Sequence, residues 1–476
     1  MINYLHRLLN RERDRWRSDH DYAEVMRSST AAFLLRFLSF ALIYLLQLLI
    51  ARVYGAAEVG VFHLTVTILT IGMVLISAGT DTSLIRLIPE LRTEGSSHLI
   101  PHLVNKVIAV TSIAAVVAGI GLWASAEWLA RAIFTDDLLI VPLQIAALLL
   151  PCVLLTRLYA AAFRAEKKTS SSIWFEVLAI RVLHISGLLL MLLLFPLDSL
   201  YVMYTYGLAV TVTALWGAIT WHRKAAGSQD SNSHGMVKEG ATTTSTRIEV
   251  HQILSLSLPM YLSSSMVLLM DWTDTLLLGV FTTPEIVGIY SIVLKLSLLT
   301  SFSFASINTI LLPKFSELYW SGDVTRLQKL VGTSNRLLFW TSAPMLIGLA
   351  FFAESFLSLF GAEFVSGGLS LLILCAGQFI SSMTGNVIAL LNMTGHQRRA
   401  RDTLLISAAV NILGNCLLIP IWGMTGAAVA TSLSMGVRDL LATRYASRVF
   451  GFRTWYLPTP IRRLVPITHS TSGERR

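Results

Sequence analysis

The side chains that could do chemistry in this sequence are few, and nearly all lie inside apolar runs. Asp271 and Asp274 stand three apart in LLMDWTDTLLLG, so on a helix they share one face. Carboxylates that close repel, and three arrangements are open: one holds a proton near neutral pH, a cation sits between them, or one pairs with Lys295. The first two suit coupling to an ion. Lys295, in GIYSIVLKLSLL, lies too deep in its run for a loop residue. It either answers a carboxylate or anchors an anionic group. Glu176, Arg181 and His184 fall within about two helical turns, with Arg181 and His184 on one face. They form either an internal ion pair that aids packing or part of a cavity. Arg36, Ser39 and Gln47 share a face of the first run, where Arg36 either snorkels to the interface or lines a cavity.

Other chemistry finds little support. Cys152, Cys375 and Cys416 sit singly in apolar runs and read as small core residues, with no spacing for a metal or a disulfide framework. Asn386, Asn392, Asn411 and Asn415 read as hydrogen-bonding groups between helices. Asp81 and Arg86 read as a pair at a membrane boundary. The sequence contains no GxxxxGK[ST], HExxH or GxSxG, and no cofactor site is expected. The expected activity is therefore not enzymatic.

The elements that hold these residues follow from composition. Of 476 residues, 54% are hydrophobic and 14% charged, whereas a soluble protein is about a quarter charged. Lipid is the implied solvent. A crossing helix needs roughly 20 apolar residues to match a hydrocarbon core of about 30 Å. Runs of that kind lie near 31–53, 59–80, 103–123, 139–162, 173–195 and 200–221, then 252–280, 286–311, 331–353, 367–391, 403–420 and 424–446. Every second connection carries the cations: Arg86 and Arg92, then Arg164, Lys167 and Lys168, then Arg223 and Lys224, and so on to Arg448 and Arg453. The connections between them, such as 54–58, 196–199, 281–285 and 422–425, have no Lys or Arg, with Arg131 the main exception. Cation-rich loops stay in the cytoplasm, which predicts an inner-membrane, multi-pass protein with both termini inside. The net charge of +9 thus reflects topology, and nucleic acid is not an expected partner.

Residues 1–29 are basic and read as a cytoplasmic segment, either solvated or lying on anionic lipid as an amphipathic helix. Residues 30–222 form an expected six-helix lobe, 223–250 a flexible cytoplasmic linker, 251–447 a second six-helix lobe and 448–476 a cytoplasmic tail. The halves repeat. ARVYGAAEVGVF at 51–62 answers to LGVFTTPEIVGIY at 278–290, IRLIPEL at 85–91 to TILLPKF at 309–315, and AAFRAEKK at 161–168 to LLNMTGHQRR. A shared offset of about 225 residues implies a pseudo-twofold axis along the membrane normal and a cavity between lobes.

LLIARVYGAAEVGVF, SAGTDTSLIRLIPE, DTLLLGVFTTPEIVGIYSIVLKL, INTILLPKFSELYWSGD, LLNMTGHQRRA and WGMTGAAVATSLS together span both halves. With these segments the chain resembles the polysaccharide-flippase (Wzx-like) branch of the multidrug/oligosaccharidyl-lipid/polysaccharide (MOP) exporter superfamily, related to the multidrug and toxin extrusion (MATE) transporters. The resemblance implies an all-α integral membrane fold of twelve transmembrane helices in two six-helix lobes with pseudo-twofold symmetry. It implies alternating access, with a lipid-linked oligosaccharide or polysaccharide precursor carried on polyprenyl pyrophosphate as substrate. Arg36, Arg181 and Lys295 would then bind the substrate's anionic group, and Asp271, Asp274 and Glu176 would serve proton or sodium coupling. A glycan polymerase or glycosyltransferases are the implied protein partners. The alternatives are a MATE-type multidrug or cation antiporter, which would favour an acidic cavity, and a membrane-embedded glycan polymerase or ligase, which would carry a large outer loop.

Overall fold

A computed structural model of the protein describes residues 20–93, 96–166, 168–232 and 272–456, and every regular element among them is a helix. That follows from the composition: in lipid each backbone N–H and C=O needs an internal partner, and a helix supplies it within one apolar run. The first helix, α1 (His20–Ser77), holds a 41-residue apolar stretch from Phe37. At about 1.5 Å per residue that is twice the hydrocarbon thickness. It therefore comprises two spans, and they meet at Gly55 (φ 83°, ψ 179°), a backbone conformation open essentially to glycine alone. The connection expected over 54–58 thus contracts to one non-helical residue.

The chain continues through α2 (Thr80–Thr93), α3 (Ile100–Trp128), α4 (Ile140–Ala165), the short α5 (Thr169–Ile173), α6 (Ala179–Leu194) and α7 (Tyr201–Asn232). Five-residue π turns extend α3 over Leu129–Ile133 and precede α6 over Trp174–Leu178. The α3 helix shows how faces are assigned. Val104, Val107, Thr111, Ala115 and Gly119 are buried, and at Gly119 a Cβ would come within 2.6 Å of the Ala147 carbonyl of α4. Ile113, Val117 and Ile120 on the other face are exposed, as side chains turned toward lipid would be.

In the second half of the sequence come α8 (Trp272–Phe281), α9 (Pro284–Ser297), α10 (Ser301–Trp320), α11 (Val324–Phe351), α12 (Ala353–Ser358), α13 (Gly368–Thr384), α14 (Val387–Met393) and α15 (Gln397–Phe450). Like α1, α15 is a double span of 54 residues, broken at Gly423 (φ 54°, ψ −132°). Among the described residues seven helices are long and apolar enough to cross a membrane, these two double-length ones included. Residues 1–19, the expected linker beyond Asn232, and Asp271 lie outside the described residues.

The molecule divides into two compact bodies. The first takes the chain to Ile292 and adds Ser358–Phe364; the second comprises Val293–Leu357 and Val365 onward. Within the second body, Gly385 (φ +68°) interrupts the span formed by α13 and α14 and frees carbonyls at its depth. Asn335 donates from Nδ2 to the Thr384 carbonyl at 3.3 Å and to the Thr454 carbonyl at 2.6 Å, and the Tyr456 N–H reaches the Met383 carbonyl at 2.8 Å. Phe452 joins the apolar cluster of Leu311, Phe315, Leu327, Val331 and Leu390, and Thr454 is fully buried. The segment after residue 450 therefore begins as part of this body's core before it leaves the described residues.

Candidate functional site

In the first body, the kink at Gly55 returns α1 into the helix bundle and places Phe62 and His63 opposite residues of α6 and α7. The Phe62 ring lies 5.6 Å from both His184 and Tyr206, centroid to centroid, and those two rings are 5.6 Å apart. His184 is buried and its Nε2–H donates to the Val202 carbonyl at 3.0 Å, while His63 Nε2 bonds Gln47 Oε1 at 3.0 Å. Arg181, one turn before His184, reaches the same region and interacts electrostatically with Tyr206. Its Nη1 is buried with no hydrogen-bond partner among the described residues. A guanidinium N–H left so costs free energy that an oxyanion would recover.

Glu176 does not join this group. The π turn over Trp174–Leu178 carries it to the surface, where it pairs with Arg164, whose Nε also reaches Ser172 Oγ at 3.3 Å. Two further pairs tie the neighbouring helix ends. Asp81 pairs with Arg157 at 2.8 Å, the two sitting at the same level of adjacent helices, α2 and α4, and Arg92 pairs with Glu166 at 3.6 Å. The side chain of Arg86, the partner expected for Asp81 from the sequence, lies outside the described residues.

The remaining described candidates lie on α8 and α9. Asp274, on α8 in the first body, is 3% exposed and accepts from the Tyr290 hydroxyl at 2.8 Å. Lys295 is half-buried in the last turn of α9, in the second body. The side chain of Arg36, like Asp271, lies outside the described residues.

The second body holds a polar core of another kind. Asn411 Nδ2 donates to Thr431 Oγ1 and Asn415 Nδ2 to Asn411 Oδ1, each at 3.3 Å, with all three residues buried. Ser407 donates to the Ser434 carbonyl at 2.8 Å, and Asn386 to Asn308 across helices. Asp439 receives Arg438 Nε at 2.9 Å and the Ser381 hydroxyl. Arg157 and the Arg438–Asp439 pair are absent from the sequence expectations; the available signal was an isolated Arg, and adjacent opposite charges, inside apolar runs that lipid would not admit unpaired.

A cavity of about 250 Å³ opens in the first body between the kinked α1 and the connections before α4 and α7. Glu58, Asp137, Asp198 and Ser199 line it, and Phe62 and Val202 close it toward His184. Beside it Arg131 binds Glu127 and, at 2.8 Å, Asp137. The three cysteines are free, and no cluster of three or more His, Cys, Asp or Glu suited to a metal occurs among the described residues.

Comparison with known proteins places this architecture. The family described as polysaccharide biosynthesis protein matches residues 25–319. The chain belongs to that family. As a polysaccharide biosynthesis protein it is 26% identical over 190 residues to the probable low-salt glycan biosynthesis flippase Agl15 of Haloferax volcanii, a match spanning 39% of this chain and 40% of that relative. The chain thus aligns with less than half the length of this curated relative. In fold it is similar to solved flippases and transporters, one of them of the MOP superfamily. The lipid II flippase MurJ in an inward closed conformation superposes with a TM-score of 0.68 at 14% identity, covering 88% of this polysaccharide biosynthesis protein and 87% of the flippase. An inward-facing multidrug resistance MATE family transporter gives 0.67 at 13%, covering 87% and 94%.

Proposed function

We propose that this polysaccharide biosynthesis protein moves a lipid-linked oligosaccharide or polysaccharide precursor, carried on polyprenyl pyrophosphate, from the cytoplasmic to the outer face of the inner membrane. The observation that carries this reading is the buried Nη1 of Arg181 in a membrane helix, unpartnered among the described residues. A pyrophosphate offers acceptors that such a donor lacks, and a fixed cation in a low-dielectric site attracts it more strongly than water would allow. The family and the flippase names of its relatives support a glycan-lipid cargo, and the fold supports alternating access. Lys295 and Arg36 are proposed as further substrate cations, and Asp274 and Asp271 as carboxylates serving a coupling proton or sodium ion. Glu176, held by Arg164 at the surface, is a weaker candidate for coupling. The cation-rich connections are read as cytoplasmic, with both termini inside, and the cycle as making and breaking no covalent bond. A glycan polymerase or glycosyltransferases would act beside it.

Deleting the gene should cause a lipid-linked glycan to accumulate on the cytoplasmic face, measured by extraction and mass spectrometry. Normal surface glycan together with increased drug sensitivity would sink this reading. It would favour a MATE-type cation antiporter, which the acidic cavity of Glu58, Asp137 and Asp198 would suit.

A further inference from the structure

The first body contains a junction between the two halves of the sequence repeat. Gly60, from the repeat unit at 51–62, and Gly288, from its counterpart at 278–290, lie against each other. A Cβ at Gly60 would stand 1.7 Å from the Pro284 carbonyl oxygen, and one at Gly288 would stand 1.9 Å from that of Ala56 and 2.9 Å from the Gly60 nitrogen. The helices α1 and α9 therefore touch backbone to backbone, at a distance glycine alone permits. One turn deeper, fully buried Leu64 covers Gly279, leaving no room there for a side chain.

Two polar contacts flank this crossing, and they are reciprocal. Arg52, in the last turn before the Gly55 kink, donates from Nε to the Leu359 carbonyl and from Nη2 to the Ser358 carbonyl at 3.0 Å. Those carbonyls end α12, where a cation meets the negative end of the helix dipole. In return, Glu363 Oε1 accepts the Ala56 N–H at 2.6 Å, just after the kink, where helix N–H groups have no partner of their own and an anion meets the positive end. A cation from the first half caps the second, and an anion from the second caps the first.

We propose that Arg52 and Glu363 form a latch over the Gly60–Gly288 crossing, and that each transport cycle requires this latch to open. Three features suit it to opening. Arg52 is exposed, so water can replace its carbonyl partners. The crossing itself is van der Waals contact between smooth backbones, which separate without leaving a buried polar group unpaired. The junction also lies on connections poor in Lys and Arg, at the end where cargo would leave. The proposal rests on the transport reading above.

The test uses the full chain with Cys152, Cys375 and Cys416 replaced by serine and the pair Arg52→Cys and Leu359→Cys introduced. A cleavable bis-methanethiosulfonate linker should lower glycan export about tenfold, and reduction should restore it. Export unchanged at complete cross-linking would overturn the latch, whereas no export before cross-linking, with the serine-replaced parent also inactive, would overturn the transport reading. A second measurement needs no cargo. A cysteine at Leu64, under the crossing, should react slowly with a membrane-impermeant maleimide applied from outside. Arg52→Ala with Glu363→Gln should raise that rate about tenfold. Equal rates in both backgrounds would overturn the latch whatever the substrate.

Discussion

The polar interiors of the two bodies are built on different terms. In the second body, charges and amides close on one another: Arg438 on Asp439, Asp439 on Ser381, Asn415 on Asn411 and Asn411 on Thr431. Around Arg181 in the first body, the neighbours are rings and a phenol, and the guanidinium keeps a buried donor unspent. Closed networks hold helices together in lipid, where the alternative is an unsatisfied group in hydrocarbon. An open cation weakens the fold where it stands, a cost that the proposed anion binding would offset.

Three substitutions separate these terms, the first with the largest effect. Arg181→Ala should reduce glycan export about tenfold or more while leaving the melting temperature in detergent unchanged or higher, because it removes a guanidinium whose buried Nη1 has no partner among the described residues. A fall in melting temperature that matched the loss of export would make Arg181 structural and erase the contrast. Asp439→Asn removes the buried anion that partly exposed Arg438 pairs with and should cost about 2 kcal/mol, visible as lower abundance and a lower melting temperature. A stable, fully active Asp439→Asn protein would show that the second body tolerates an open cation as well. Asn411→Ala breaks a bond of two neutral partners and should cost only about 1 kcal/mol by thermal unfolding, with export little changed. A larger loss of export than of stability would assign the amide cluster to ion coupling and sharpen the division between an anion-binding body and an ion-binding one.

The spans were legible in the sequence because lipid imposes a single local solution on an apolar run of sufficient length. The repeat was legible too, and Gly60 and Gly288, which it aligned, are the residues that touch. What resisted reading was the third dimension of charged side chains. Arg181 and His184 share a face as their spacing required, but the π turn before α6 was invisible in the pattern, and with it the turning of Glu176 toward Arg164. Asp81 meets Arg157, far away in sequence, because adjacent helices bring the two level, which no local spacing announces. The pair Arg438–Asp439 was passed over as part of an apolar span, since periodicity marks which face is polar only when charges are separated along the helix. Nothing in the local sequence marks Gly385 as a break, and only the fold shows the carbonyls it frees at Thr384 and Met383 taking donors from Asn335 and Tyr456.

That break also constrains the order of assembly. Asn335 bridges two carbonyls, one at Thr384 and one at Thr454, and the second lies 119 residues beyond it. The ribosome delivers α11, α13 and α14 to the membrane well before residues 452–456 exist. Through that interval the Met383 carbonyl lacks its Tyr456 partner, and the apolar cluster around Leu311 and Phe315 lacks Phe452. The second body is thus an arch whose keystone is cut last, and a ribosome stalled before residue 456 would leave spans that are inserted but not yet locked together.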